Sequence, residues 1–167
     1  MPWFRQRTRD RRHRRGQGLV EFALVLPLFL MIVFGIIDIG RYVYVTNAFN
    51  EASREAARFG AVEQWQYACP ASVPVGTQNR FTCSAAVAIE RMAAAPAYST
   101  PTVTCLSRGD DPSSTVSAAA CRAGYLLSVT VATPTSPPSH QFQFMTPVIG
   151  QILGSPVISG QTSVVVQ

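Results

Sequence analysis

The chain of 167 residues suits one modest domain, not two of usual size. Charged residues make up only 14% of it, while 47% are hydrophobic, which excludes disorder of the whole chain. The net charge of +5 comes from fourteen arginines and no lysine. Seven of them (Arg5, Arg7, Arg9, Arg11, Arg12, Arg14, Arg15) crowd the first fifteen positions beside Asp10, so a +6 tail precedes a −1 body, which argues against a basic nucleic-acid-binding face.

An apolar stretch follows the tail at once. Residues 22–37 (FALVLPLFLMIVFGII) carry no charge, and residues 19–39 extend the stretch with only Glu21 and Asp38 interrupting. As a helix this spans about 31 Å, close to a bilayer core. Few arginines follow it, so the positive-inside rule places the N-terminus in the cytoplasm and the C-terminal part outside. A cleaved secretory signal also begins basic and apolar. Here the apolar core is at the long limit for one, and no Ala-x-Ala site follows. A twin-arginine signal is weaker still, because RRHRRGQG lacks the hydrophobic pair after its arginines.

The pattern predicts that the helix continues, over about residues 18–59. Tyr42, Val45, Phe49, Ala52, Ala56 and Phe59 form one apolar stripe at alternating spacings of three and four. Glu51, Arg54, Glu55 and Arg58 take the other side, with Glu51–Arg54 and Glu55–Arg58 spaced for ion pairs. Gly60 is read as the helix stop. Pro27 is expected to kink the helix or free a carbonyl. Asp38 and Arg41, three apart, sit at the helix exit. They read either as a pair contacting assembly partners or as an ordinary interfacial pair. Gly35 and Gly40 suit close helix packing, or are merely tolerated there.

From residue 61 the composition turns to Pro, Gly, Ser and Thr. Residues 84–95 read as an Ala-rich helix with Ser84 as N-cap. Residues 102–104, 125–132 and 162–166 read as strands, the second being the best in the chain. Gln141 to Phe144 alternate, and residues 147–153 are ambiguous between a helical turn and an extended segment. Cys69, Cys83, Cys105 and Cys121 are separated by 14, 22 and 16 residues. No close pair suggests a zinc site. An even number in an extracytoplasmic head favours two disulfides over the alternative of four reduced buried cysteines, with neighbour pairing, Cys69–Cys83 and Cys105–Cys121, preferred among three connectivities. The fold class is therefore α+β: a long N-terminal transmembrane helix whose amphipathic continuation packs on a small disulfide-bonded head with an antiparallel sheet.

Catalysis is not expected, and no cofactor or metal is implied. His13 and His140 stand in no triad or metal spacing. Asp110-Asp111 reads as a solvated turn, and Arg108-Gly109-Asp110 is a short tripeptide of a kind that arises by chance.

The junction Arg15-Gly16-Gln17-Gly18-Leu19-Val20-Glu21-Phe22 carries more information. A Gly, a Glu five residues on, then an aromatic and an apolar run resembles the type IV prepilin processing site. The resemblance implies cleavage between Gly16 and Gln17 by a prepilin peptidase, leaving the membrane helix intact. Glu21 also lies near a helix N-terminus, where the dipole favours an anion. A plain interfacial Glu is the bland alternative; in pilins this Glu is thought to meet the N-terminal amine of a neighbouring subunit. Further features are Val20-Glu21-Phe22-Ala23-Leu24, Pro27, Gly35-Ile36-Ile37-Asp38, Gly40-Arg41, and Ala52 with Arg54-Glu55-Ala56-Ala57-Arg58. Together they resemble the TadE-like family of the Tad, or Flp-type, pilus system.

That resemblance implies a minor pilin or pseudopilin, with Glu21, Phe22, Pro27, Asp38 and Arg41 serving assembly. Its partners would be the membrane, the prepilin peptidase, other pilins and the inner-membrane assembly platform, with no nucleic acid. The expected organisation is a basic cytoplasmic leader (1–16), a transmembrane and amphipathic helix (17–60) and an extracytoplasmic head (61–167). The alternative is a membrane-anchored envelope protein that keeps its tail and binds an extracellular ligand through its head.

Overall fold

The fold is described from a computed structural model, over residues 7–62, 68–93, 100–107, 114–134 and 142–167, with side chains from residue 17 onward apart from 147, 148 and 153. Asp110, Asp111, His140, the Arg108-Gly109-Asp110 tripeptide and the side chains of the basic tail lie outside this description.

The first element is α1, Arg7–Ala61, a single helix of 55 residues and about 80 Å. It begins within the tail, earlier than the predicted start near residue 18, and runs unbroken through Pro27. The side chains of residues 17–32 are all exposed. Leu24, Leu28, Phe29 and Ile32 are each more than half exposed, with nothing to cover them among the described residues. Below them the stripe goes under. Val45, Phe49, Ala52 and Ala56 are buried, and Phe59 is half-buried.

What covers that stripe is α2, Arg80–Arg91, and a four-stranded antiparallel sheet. Its strands are β1 (Thr102–Leu106), β2 (Thr115–Val116), β3 (Leu126–Ala132) and β4 (Ser159–Val165), ordered β2-β1-β3-β4. A short helix, α3 (Pro147–Leu153), precedes β4. Register follows from the period of two. Cys105 faces Leu127, Leu127 faces Val164, Val129 faces Thr162, and Val131 faces Gly160. These residues share one face, and Leu127, Val129 and Val131 are fully buried there against the helices. The neighbouring residues point the other way, where Ser128 Oγ accepts bonds from Gln161 Nε2 and Ser163 Oγ at 3.1 Å each. Each fully buried Val, Leu or Phe contributes about 1.5–3 kcal/mol, so the helix stripe and β3 together dominate the core.

Two glycines set how closely α1 meets the head. A Cβ at Gly160 would lie 2.6 Å from Phe49 O and 2.7 Å from Asn50 N, so β4 reaches the helix backbone only because Gly160 has no side chain. Ser53 Oγ and Thr162 Oγ1, 2.9 Å apart, hydrogen-bond beside this contact. Gly60 is not the helix stop it was read as. It lies inside α1 without a left-handed φ, and a Cβ there would strike Ser84 Oγ and come within 2.6 Å of Leu127 Cδ2. The end of α1 is closed from outside instead. Arg80 Nη1 donates to Gly60 O at 2.9 Å, and Gln167 N donates to Ala61 O at 3.0 Å, satisfying carbonyls that a helix terminus leaves open.

Ser84 likewise has another place than the one expected. Asn79 caps α2. Its Oδ1 accepts from Phe81 N (2.9 Å) and Thr82 N (3.0 Å), while Asn79 N donates back to Thr82 Oγ1 (2.9 Å). That reciprocal pair moves the cap five residues earlier, from 84 to 79, and leaves Ser84 buried in the helix interior, against Gly60. Glu55 pairs with Arg91 of α2 at 3.3 Å rather than with Arg58. The disulfides join Cys69 to Cys83 and Cys105 to Cys121, with Cα–Cα distances of 5.2 and 5.9 Å. The first ties the loop before α2 to its first turn. The second ties β1 to the loop before β3.

Candidate functional site

Two regions hold the residues singled out in the sequence. Gln17, Glu21, Phe22 and Pro27 lie on the bare part of α1. All four are exposed, and no other element of the chain touches this part of the helix among the described residues. Gly16 is helical and adjoins them. Asp38 and Arg41 lie about 25 Å further along, by helix rise from Glu21.

Asp38 is fully buried in a length of helix where most side chains, Ile36, Ile37, Ile39 and Tyr42 among them, are exposed. Its burial comes from the chain segment that enters α3. Oδ1 accepts from Met145 N at 2.9 Å, Oδ2 accepts from Thr146 N at 2.8 Å, and the Thr146 hydroxyl donates to the same Oδ2. Arg41 Nη1 stands 3.9 Å from Oδ1. All four neighbours are donors, and an ionised carboxylate only accepts, so the pocket suits the charged form. Thr146 is the N-cap of α3 but makes no side-chain cap bond, because its hydroxyl is turned to Asp38. Residues 107 and 108 apart in the chain are thereby latched together at the point where α1 changes from bare to covered.

Aromatic rings surround the latch. Phe142 is buried, with the Arg41 guanidinium carbon 5.5 Å from its ring centre. Tyr42 and Phe144 meet Phe142 edge-on at 5.8 and 5.2 Å. One turn toward the bare end, α3 lies close to α1 at Gly35: a Cβ there would make an ordinary contact with Ile149 Cδ1 at 3.5 Å.

The sequence pointed to Asp38 and Arg41 as a pair. It did not point to Met145, Thr146, Phe142 or Ile149. The one signal available was Thr146-Pro147, a small hydroxyl residue before a proline that suits the first position of a helix. Among the described residues no group of three or more His, Cys, Asp or Glu is placed to hold a metal. A groove of about 460 Å³ runs beside α1, lined by Tyr44, Asn47, Glu51, Glu55 and Arg91. It is an open channel with an exposed ion pair at one end.

These features define a class first: an α+β head built onto the second half of a long helix whose first half is long and apolar enough to cross a membrane. Residues 16–58 match the protein-family model described as TadE-like protein; the match lies within α1, covers 43 of the 167 residues and ends before the head. No curated protein and no solved structure matches the chain.

Proposed function

We propose that this protein is a minor pilin or pseudopilin of a Tad or Flp-type pilus system and acts as a structural subunit, not an enzyme. The observation that carries the reading is the TadE-like match on a helix that is bare over its first half and packed into a head over its second. In this reading the arginine tail is cytoplasmic and is removed after Gly16 by a prepilin peptidase, and the head lies outside the cytoplasmic membrane. The mature helix starts at Gln17 and keeps its apolar surface for the membrane, and then for neighbouring pilins. Glu21 offers its carboxylate to the new N-terminal amine of a neighbouring subunit. What supports this is that Glu21 is exposed and makes no ion pair within the chain among the described residues.

Asp38 has a different role in this reading. Its hydrogen bonds hold the head at a fixed height and rotation on the helix, so that helices packing together carry their heads in register. Arg41, 40% exposed, keeps a face toward neighbours.

The test is genetic and quantitative. Deletion of the gene in its native host is expected to abolish or sharply reduce surface pili. Wild-type protein should restore them, and the Glu21→Ala variant, expressed and inserted equally, should not. Piliation that is unaffected by the deletion contradicts the reading.

A further inference from the structure

We infer that α3, together with Met145 before it, lies in the lipid interface beside α1, so that the head rests on the membrane instead of standing clear of it. The inference depends on the reading of α1 as a membrane-spanning helix, and it assigns a second lipid contact to the head itself.

Three observations lead there. The first is height. Asp38 binds Met145 and Thr146, and Ile149 of α3 sits against Gly35. Gly35 belongs to the uncharged run of residues 22–37. It is about 4.5 Å further into that run than Asp38, by helix rise. Whatever surrounds Gly35 and Ile36 also surrounds Ile149.

The second is chemistry. Residues 123–167 contain no Asp, Glu, Lys or Arg. Around α3 three large apolar side chains are exposed, Ile152 at 75%, Met145 at 65% and Val157 at 55%, alternating with the uncharged polar Gln143, Gln151 and Ser155. Large apolar side chains exposed to this degree in one charge-free segment are costly in water. This segment meets α1 where Met145 and Thr146 bond to Asp38 and Ile149 lies near Gly35, on a stretch of helix where Ile36 and Ile39 are also exposed.

The third is size and backbone satisfaction. Seven helical residues reach about 10 Å, a third of a bilayer core, and Gln151 is exposed on the same helix. Such a segment lies in an interface and does not span it. Gly150 N and Gly154 N donate within α3, to Thr146 O and Gly150 O, and the amides leading into it donate to Asp38. Fewer bare donors therefore meet the lipid. Arg41 and Tyr42 stand on the water side of Asp38, where a cation and a phenol suit the headgroup level.

The occupant is lipid because α3 is held beside α1 at the height of Gly35, within the uncharged run that faces lipid in this reading. A second copy of the chain is the competing occupant, and the test separates the two. The full chain, with both disulfides intact, carries one added cysteine bearing an environment-sensitive nitrobenzoxadiazole dye. It is reconstituted in vesicles of phosphatidylethanolamine and phosphatidylglycerol. Three positions are compared: Ile152→Cys in α3, Leu28→Cys in the bare helix, and Val75→Cys in the exposed loop closed by the first disulfide (93% exposed). All three side chains are exposed, so folding is expected to survive.

The dye at 152 is expected to be blue-shifted and to lose about half its intensity or more to a lipid nitroxide near the ester carbonyls. The dye at 28 is expected to respond to a nitroxide near the chain ends, and the dye at 75 to aqueous iodide only. Emission from 152 that matches 75 while 28 reports lipid overturns the inference and leaves the anchor reading intact. Loss of the lipid response at 28 as well overturns both. A blue-shifted dye at 152 that ignores lipid nitroxides and reverts on dilution of the protein in lipid means a second copy covers the patch, and also overturns it.

Discussion

The Asp38 latch makes the sharpest mutational prediction. Asp38→Ala removes the acceptor from two backbone N–H groups and one hydroxyl, with Thr146 itself buried. A buried donor left without a partner costs roughly 1–3 kcal/mol. The bond from Met145 N is only part-buried, so the three do not sum; we expect about 3 kcal/mol for the latch as a unit. Asp38→Asn keeps one acceptor but turns an amide NH2 toward a donor, and about 2 kcal/mol is expected. Arg41→Ala should cost less, under about 1 kcal/mol, because the guanidinium is well exposed and its contacts are one long ion pair and one ring face.

The assay is amide hydrogen exchange on the full chain in nanodiscs, which resolves the latch from the rest of the fold. Asp38→Ala is expected to speed exchange at Met145 and Thr146 by about a hundredfold while the β3 amides, paired on both sides, hold their protection. Unchanged protection at both amides, or an Arg41→Ala effect as large as that of Asp38→Ala, would refute the claim that these hydrogen bonds fix the head to the helix.

Gly160→Ala should destabilise the head by roughly 1–3 kcal/mol in chemical denaturation, since its Cβ meets the Phe49 backbone. Gly40→Ala is the matched control. Nothing lies within 4 Å of its Cβ, and helix propensity favours the change by about 0.5–1 kcal/mol. Asn79→Ala should cost about 1 kcal/mol and fray the first turn of α2, read as faster exchange at Phe81 and Thr82. Replacing Gly16 with a bulky residue is expected to block processing, seen as a band of unshifted mass when the peptidase is co-expressed.

The helix, its amphipathic turnover and the strands were legible because each rests on local periodicity. The stripe from Val45 to Ala56 is buried as its spacing requires, and residues 125–132 and 162–166 hold the two long strands to within a few residues. What escaped depends on contacts between distant residues. Gly60 looks like a stop in sequence and is a packing glycine in space, because Ser84 and Leu127 arrive from elsewhere. Ser84 looks like a cap, yet Asn79 and Thr82 form the better reciprocal pair. At the helix exit, Asp38 and Arg41 were visible as charges three apart, but the donors that bury Asp38 lie 107 and 108 residues downstream in a stretch without charge. The two-residue strand β2 is too short for any period to show.

The most direct test of the pilin reading is the N-terminus of the exported protein. Mass spectrometry of the chain purified from membranes of its native host, with the prepilin peptidase present, should find Gln17 first, and should find Met1 when that peptidase is deleted. An exported chain that begins at or near Met1 in both strains contradicts the reading.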